Sequence, residues 1–413
     1  MRLDAAGRQG RGGEAGEAAL DRVKLVITSD NHLNRYYDRL PPARLAERRR
    51  WLRQGFQAAV ECALDRDAHL FLQAGDLFDT PDPRNAEREY VAREFARLRA
   101  HGVAVVGIGG NHDTPKQRLE HGGSLPQSIY AHLGGLHLLA EGTPSTLTLE
   151  LARLRVCIGA LPWTPTREAG ADPLADVTWQ PSGDVNLFVF HHSIEGHIYP
   201  GAHEAIVRRA SLDRLPAQLV VAGHVHEHAH WTTGRQTVVI PGATERLTFG
   251  ERQTPGFVYV ELGPGGVERL EHIAVPCQPR RDVVLHTWAL RAAGDDLCAA
   301  ALRHLEAVCA PDLLLRVRLS GPIRREDYRA LDLRRLHTWA LERVFACEID
   351  TSGLVIEDVL GARVAGGVRV SPRDELVASA HALIDAAENP AERALLAEAL
   401  AAVLAAYEQG IPA

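Results

Sequence analysis

Between residue 23 and about residue 275, short apolar runs rich in β-branched residues alternate with stretches whose apolar positions recur every three or four residues. The runs at 23–28, 69–74, 103–108, 154–160, 185–190, 219–222 and 237–240 read as strands. Their near-continuous apolar content predicts sheets covered on both faces. Between the first two runs the pattern predicts a helix of about 24 residues, with Leu45, Leu52, Phe56, Val60 and Leu64 at turn spacing. Arg48, Arg49, Arg50 and Arg53 fall mostly on its opposite side. A second helix over 85–101 carries Val91, Phe95 and Leu98 and stops at Gly102. This alternation predicts a layered α/β domain over 23–275.

The texture changes near residue 276, where Pro276, Pro279 and the Arg280-Arg281 pair form a hinge-like stretch. Beyond it, 283–290, 313–319 and 354–359 read as strands, with helices near 295–308 and 324–335. These predict a smaller α+β cap domain over 276–370. Over 371–413 the pattern is a helix pair. Ser371-Pro372-Arg373-Asp374 is a helix-start signal, with a capping Ser and Pro at the first helical position. Leu376, Val377, Ala380, Leu383 and Ile384 form one apolar stripe, and Asn389-Pro390 breaks that helix. Leu395, Leu396, Leu400, Val403, Leu404 and Tyr407 form the stripe of the next. Residues 1–22 mix Arg, Glu, Gly and Ala without an apolar stretch, so a flexible tail is expected there rather than a secretory signal.

The 413 residues are 46% apolar and 24% charged with net charge −7, which excludes disordered and collagen-like classes. No apolar run approaches the ~20 residues that cross a bilayer, so no membrane span is expected. Six cysteines stand far apart without a Cys-x-x-Cys pair, which argues against a zinc knuckle or disulfide scaffold and leads us to expect a cytoplasmic protein.

Five predicted strands end in polar residues of metal-ligating type. They are followed by Ser29-Asp30-Asn31-His32, Gly75-Asp76-Leu77-Phe78-Asp79, Gly110-Asn111-His112-Asp113, His191-His192 and Gly223-His224-Val225-His226. Taken singly, each is an ordinary turn or cap. Together they converge on the edge where an α/β sheet presents its functional groups. Asp, Asn and His without thiolate suit manganese, iron or zinc in a mixed nitrogen and oxygen site. Seven candidate ligands exceed what one ion takes. A carboxylate bridging two ions accounts for the count, and such pairs ~3.5–4 Å apart serve phosphoryl transfer.

This ordered set resembles the calcineurin-like metallophosphoesterase superfamily and, within it, the SbcD-type DNA double-strand-break repair exonucleases. The resemblance spans about 23–245. It implies a layered αββα fold, two packed sheets flanked by helices. It implies two divalent ions, Mn2+ foremost, with Mg2+, Fe2+ or Zn2+ as alternatives. Asp30, His32 and His226 resemble the ligands of one ion, Asn111, His191 and His224 those of the other, and Asp76 the bridging carboxylate. His112 resembles the histidine that helps the leaving oxygen depart, with Asp113 expected to orient it. His192 is left as a neighbour that contacts substrate or caps the loop. At Asn31 many relatives carry a bulky aromatic or other residue, which implies an altered pocket shape.

The expected chemistry is hydrolysis of a phosphodiester by water activated between two cations, with His112 as acid. The resemblance implies a DNA exonuclease or endonuclease that forms a homodimer and binds an SbcC-like ATPase through 371–413, with a hairpin packed back on its own domain as the alternative for that pair. Over 276–370 there are 14 Arg against 13 acidic residues, net +1, and over 371–413 the net charge is −5. The Arg pairs 280-281, 324-325 and 334-335 are therefore candidates for phosphate contact, although a solvated helix face explains each of them more simply. Tyr36 and Tyr37 are candidates for stacking on a base or sugar, with buried loop aromatics as the equal alternative. The alternative is a phosphatase or cyclic-nucleotide phosphodiesterase with the same centre. A scaffold that has lost catalysis ranks last because the ligand set is complete.

Overall fold

The computed structural model describes residues 21–37, 40–116, 123–140, 144–164, 168–198, 204–293, 296–357, 372–387 and 389–408. Residues 1–20 of the expected tail and the capping Ser371 lie outside the described residues. The chain runs β1 (Val23–Thr28), α1 (Pro42–Asp65), β2 (Leu70–Gln73), α2 (Asn85–Ala100), β3 (Ala104–Gly107), α3 (Ser128–His132) and β4 (His137–Leu138). It continues with β5 (Ser145–Leu151), β6 (Leu154–Leu161), β7 (Val185–His191), β8 (Ser193–Ile194), β9 (Ile206–Val207) and α4 (Arg209–Leu212). Then follow β10 (Leu219–Gly223), β11 (Ala229–Thr233), β12 (Gln236–Ile240), β13 (Gly256–Gly263) and β14 (Gly266–Ala274).

Two six-stranded sheets result, ordered β14-β13-β1-β2-β3-β4 and β11-β12-β10-β7-β6-β5. In each, four parallel strands form the body; β13 and β14 extend the first at its β1 end, and β11 and β5 flank the second as antiparallel edges. Period-two alternation sorts their side chains. Leu25, Ile27, Leu70, Leu72 and Val106 of the first sheet meet Val156, Ile158, Leu187, Val189 and Val221 of the second in one core between the sheets. The opposite face of the first sheet, with Val26, Phe71 and Val105, packs on Leu52, Phe56 and Val60 of α1 and Val91, Phe95 and Leu98 of α2. The outer face of the second, with Phe188, Phe190 and Val220, is covered by Trp179, Leu212 and Leu215. The expected αββα layering is present.

Some details differ from the sequence reading. The hairpin of β13 and β14 was not anticipated, yet β13 is wholly buried and pairs with β1. Arg48 and Arg49 do not face solvent. Arg48 is 0% exposed, its Nη1 lies 3.1 Å from Glu245 Oε2, and its Nη2 donates to the Arg246 carbonyl. A buried acid on a distant segment decides that orientation, and the helical period cannot show it.

The chain divides into two compact units. The first comprises Met1–Val284, Leu302–Arg318 and Arg334–Asp350; the second comprises Leu285–Ala301, Leu319–Leu333 and Thr351–Ala413. The domain break expected near 276 thus falls before the end of the first unit's opening segment, and part of the later chain returns to that unit. After β15 (Arg280–His286) comes α5 (Thr287–Ala292), so the run expected as a strand over 283–290 ends as helix. α6 (Leu297–Glu306), β16 (Leu314–Arg324), α7 (Arg325–Ala330), α8 (Leu333–Leu341) and β17 (Ala346–Glu357) follow, with the three strands ordered β15-β16-β17. In the second unit, α9 (Pro372–Ala386) and α10 (Pro390–Glu408) pack on each other, and Asn389 Oδ1 accepts from Glu392 N to cap α10.

Candidate metal centre

The parallel strands of both sheets deliver their carboxyl ends to one place. Asp30 and His32 follow β1, Asp76 follows β2, Asn111 and His112 follow β3, His191 ends β7, and His224 and His226 follow β10. The loops are tight. Asp30, His32, Asp76 and His224 have φ of 50°, 45°, 53° and 89°, in the left-handed region that non-glycine residues avoid at a cost of ~1–3 kcal/mol each. Glycines let the loops close. A Cβ on Gly110 would stand 2.2 Å from Asp76 Oδ1, and one on Gly223 would stand 2.0 Å from the Ala74 carbonyl oxygen.

Asp30, His32, Asp76 and His191 are buried, and three overlapping sets place ligand atoms within 4.8 Å of one another: Asp30, His32, His226; His32, Asp76, His112; and Asp30, Asp76, His191. Asp76 Oδ2 lies 3.6 Å from His32 Nε2 and 3.4 Å from His191 Nε2, so one carboxylate serves both sides. On one side His32 Nε2 and His226 Nε2 are 3.2 Å apart, with Asp30 Oδ1 3.9 Å from the latter. On the other, Asn111 Oδ1 lies 3.1 Å from His191 Nε2 and 2.9 Å from His224 Nδ1. All seven expected ligands are thus brought together.

The second nitrogen of each ring is tied by an acceptor outside the cluster. His32 Nδ1 donates to Asp79 Oδ1 at 2.8 Å, His191 Nδ1 to the Ala74 carbonyl at 2.8 Å, His224 Nε2 to Glu204 Oε2 at 2.5 Å, and His226 Nδ1 to Glu251 Oε1 at 2.9 Å. Each bond fixes the tautomer and turns the other nitrogen inward as a lone pair, the arrangement that supports metal-bound histidines. Facing lone pairs and carboxylates repel unless positive charge lies among them. Burial opposes protonation of His191, yet Asp76 and then Asp30 raise its pKa to about 9. Burial also opposes ionisation of Asp76, which His191, His32 and His112 hold far below the usual carboxylate range. The donor set therefore fits two divalent cations sharing Asp76.

Two expected roles meet different neighbours. Asp113, expected to orient His112, is instead buried with Oδ1 accepting from Gly110 N at 2.7 Å and Oδ2 from Leu77 N at 3.0 Å and from Gln127 Nε2. Burial and then the charge of Asp76 push its pKa up to about 7. The carboxylate beside His112 is Asp79, with Oδ1 3.6 Å from Nδ1. Burial lowers the pKa of His112, while Asp76 and Asp79 act against the shift. The Asn31 side chain does not shape a pocket. It is buried, donating to Thr28 Oγ1 and Thr244 Oγ1. Tyr36 is 66% exposed, whereas Tyr37 lies beneath the guanidinium of Arg48. Buried His192 lies beside His191.

Sequence reasoning did not assign Asp79, Glu204 or Glu251. Asp79 lies in the motif quoted after β2. Glu204 and Glu251 sit in segments with no periodic or motif signal.

Comparison with known proteins agrees with this geometry. The profile of the calcineurin-like phosphoesterases matches residues 23–228. The chain carries a calcineurin-like phosphoesterase domain. The chain is also similar to proteins named DNA double-strand break repair protein Mre11. It is 27% identical to that of Aeropyrum pernix over 268 residues, covering 62% of each chain. It is 27% identical to that of Methanopyrus kandleri over 243 residues, 54% of this chain and 51% of the relative. With that of Sulfurisphaera tokodaii it shares 29% identity over 285 residues, 66% of this chain and 68% of the relative. It covers less than two thirds of the first two relatives' length. The phosphoesterase domain contains every candidate ligand, and Glu251 is the one ring-holding carboxylate beyond the matched residues. Among the described residues no helix is long and apolar enough to cross a membrane.

Proposed function

We propose that the chain is a dimetal phosphodiesterase acting on DNA, the nuclease subunit of a double-strand-break repair complex with an SbcC-like ATPase, and that Mn2+ is its working metal. The observation that carries the reading is the Asp76 carboxylate between two ligand groups whose four histidines are each fixed by an outer hydrogen bond. Two divalent cations bound there would supply charge for the phosphoryl oxygens and acidity for an attacking water. Asp30, His32 and His226 would hold one ion, and Asn111, His191 and His224 the other. His112 delivers a proton to the leaving oxygen, and Asp79, on the Nδ1 side of its ring, orients it. Asp113 holds the backbone of the loop that carries Asn111 and His112.

A cavity of 640 Å³ opens beside these groups, lined by Asn111, His112, Thr114, Lys116 and Trp163 among others. Lys116 places a cation, and Trp163 an aromatic surface, where a substrate strand would enter. Leu383, Leu395 and Val403 are exposed along α9 and α10, which suits docking of a partner helix. The similarity to the Mre11 proteins supports the DNA assignment.

The test supplies purified chain and Mn2+ with end-labelled duplex DNA, single-stranded circles and bis(p-nitrophenyl) phosphate, with and without the partner ATPase. DNA cleavage is expected. Hydrolysis of the small ester alone, with DNA intact even when the ATPase is present, would assign the centre to a phosphatase or cyclic-nucleotide phosphodiesterase instead.

A further inference from the structure

A second cavity of the first unit, about 490 Å³, is lined by Arg246, Phe249, Glu251, Arg252, Arg280, Asp282, Arg316 and Arg318 with Gly250. Five guanidinium groups and two carboxylates line it; Arg246 gives its Nε and Nη2 to the Gln253 and Arg252 carbonyls, and Arg316 is also drawn by Glu348 and Asp350, so the uncommitted guanidinium donors are those of Arg252 and Arg280. Asp282 accepts from Arg316 Nη2 at 2.6 Å and Arg318 Nε at 2.9 Å. Glu251 gives Oε1 to His226 and Oε2 to Leu247 N. Phe249 separates two of the cations, with Arg280 and Arg316 at 5.5 and 4.8 Å from its ring centre.

Arg280 marks the excess of positive charge. Its Nε is buried and has no hydrogen-bond partner among the described residues, and it shares the Arg246 carbonyl with Arg48. Burial, then the charge of Arg48, lowers its pKa to about 10. The nearby buried acid, Glu245, is taken by Arg48, Arg246 N and Gln278 N. Arg252 is exposed, and its guanidinium makes no hydrogen bond among the described residues. A cavity with surplus guanidinium forks and an unmet buried N–H is built for an oxyanion with several acceptor oxygens.

We propose that this arginine cavity binds a phosphate group and serves as a subsite outside the metal centre. The inference rests on the reading of the chain as a DNA phosphodiesterase for its preferred source, a backbone phosphate of the bound strand. Free phosphate is the other source of the same chemistry. Glu251 sets the subsite against the metal centre, because the loop that lines the cavity also holds His226.

The test compares the full chain with Arg252→Ala and Arg318→Ala, without added metal so that the probe stays intact. A fluorescein-labelled duplex oligonucleotide is read by anisotropy across a salt series, and inorganic phosphate by its effect on thermal stability. A backbone subsite predicts an affinity loss of about tenfold in each variant, with the salt slope reduced by about one. A phosphate-induced rise in melting temperature in the parent that the variants lose, with oligonucleotide binding unchanged, assigns the cavity to free phosphate. If neither ligand distinguishes the parent from either variant, the proposal is overturned. Arg318→Ala also removes an ion pair, so the exposed Arg252 carries the test if that variant does not fold. Failure of the parent to cleave DNA strikes the proposed function instead, and the phosphate arm still decides the cavity.

Discussion

Asp79 Oδ1 lies 2.8 Å from His32 Nδ1 and 3.6 Å from His112 Nδ1, so one carboxylate faces both a candidate metal ligand and the ring proposed to protonate the leaving group. Arg35 Nη1, 2.9 Å away, holds that oxygen in place. Replacing Asp79 by Asn should therefore do two things at once. Metal affinity falls by about 10- to 100-fold, as for other partners of ligand histidines, and kcat falls further than metal saturation restores. Calorimetric titration with Mn2+ and kcat at saturating metal separate the effects. A variant restored fully by excess metal would leave His112 without its assigned positioning residue.

Glu204 holds the ring of His224 and Glu251 that of His226. Glu204→Ala and Glu251→Ala should each weaken Mn2+ binding by about 10- to 100-fold while kcat at saturation is largely kept. Asp76→Ala should abolish both ions. The check is a metal titration of the three variants side by side. His112→Ala belongs at the other extreme, with metal retained and most turnover lost.

Close approach makes Gly110 a further probe. Any side chain there meets Asp76 Oδ1 at 2.2 Å and the Asp76 backbone N at 2.4 Å. Gly110→Ala should lower metal affinity through displacement of Asp76, even though alanine brings no charge. Titration with Mn2+ against a circular-dichroism melting control reads it, and normal affinity would contradict the packed loop.

The clustering of candidate residues at the strand ends is legible because each motif is local: a strand, then two to five residues that fold back on it. The parallel order then brings those ends together without further information. What the sequence hid is long-range. Glu204 and Glu251 reach His224 and His226 from separate loops. Gln127 takes one oxygen of Asp113, and two backbone N–H groups complete its bonds, which removes it from His112. Arg48 sits on the polar side of α1, yet Glu245 draws it inward. The apolar run at 257–262 is readable as a strand, whereas the turn from β15 into α5 has no breaker residue to announce it.

Arg48 and Glu245 are both fully buried. Arg48→Ala leaves the acid without its partner and should cost about 3–5 kcal/mol of stability, the penalty for an uncompensated buried charge. Urea denaturation measures it. A loss below about 1 kcal/mol would show that Arg280 takes over the pairing.

His272 stacks on His228 with ring centres 4.2 Å apart, and burial, then His230, lowers its pKa. A histidine with a lowered folded pKa contributes stability above its unfolded value near 6.5 and loses it as pH falls through the folded value. His272→Gln should flatten the decline in melting temperature on the acid side. An unchanged slope would place the acid sensitivity elsewhere.

The proposed pair of cations shares Asp76. Protein dialysed against Mn2+ and then against metal-free buffer should carry two manganese per chain by elemental analysis, falling to none in Asp76→Ala. One ion per chain, or two that survive in Asp76→Ala, would contradict it.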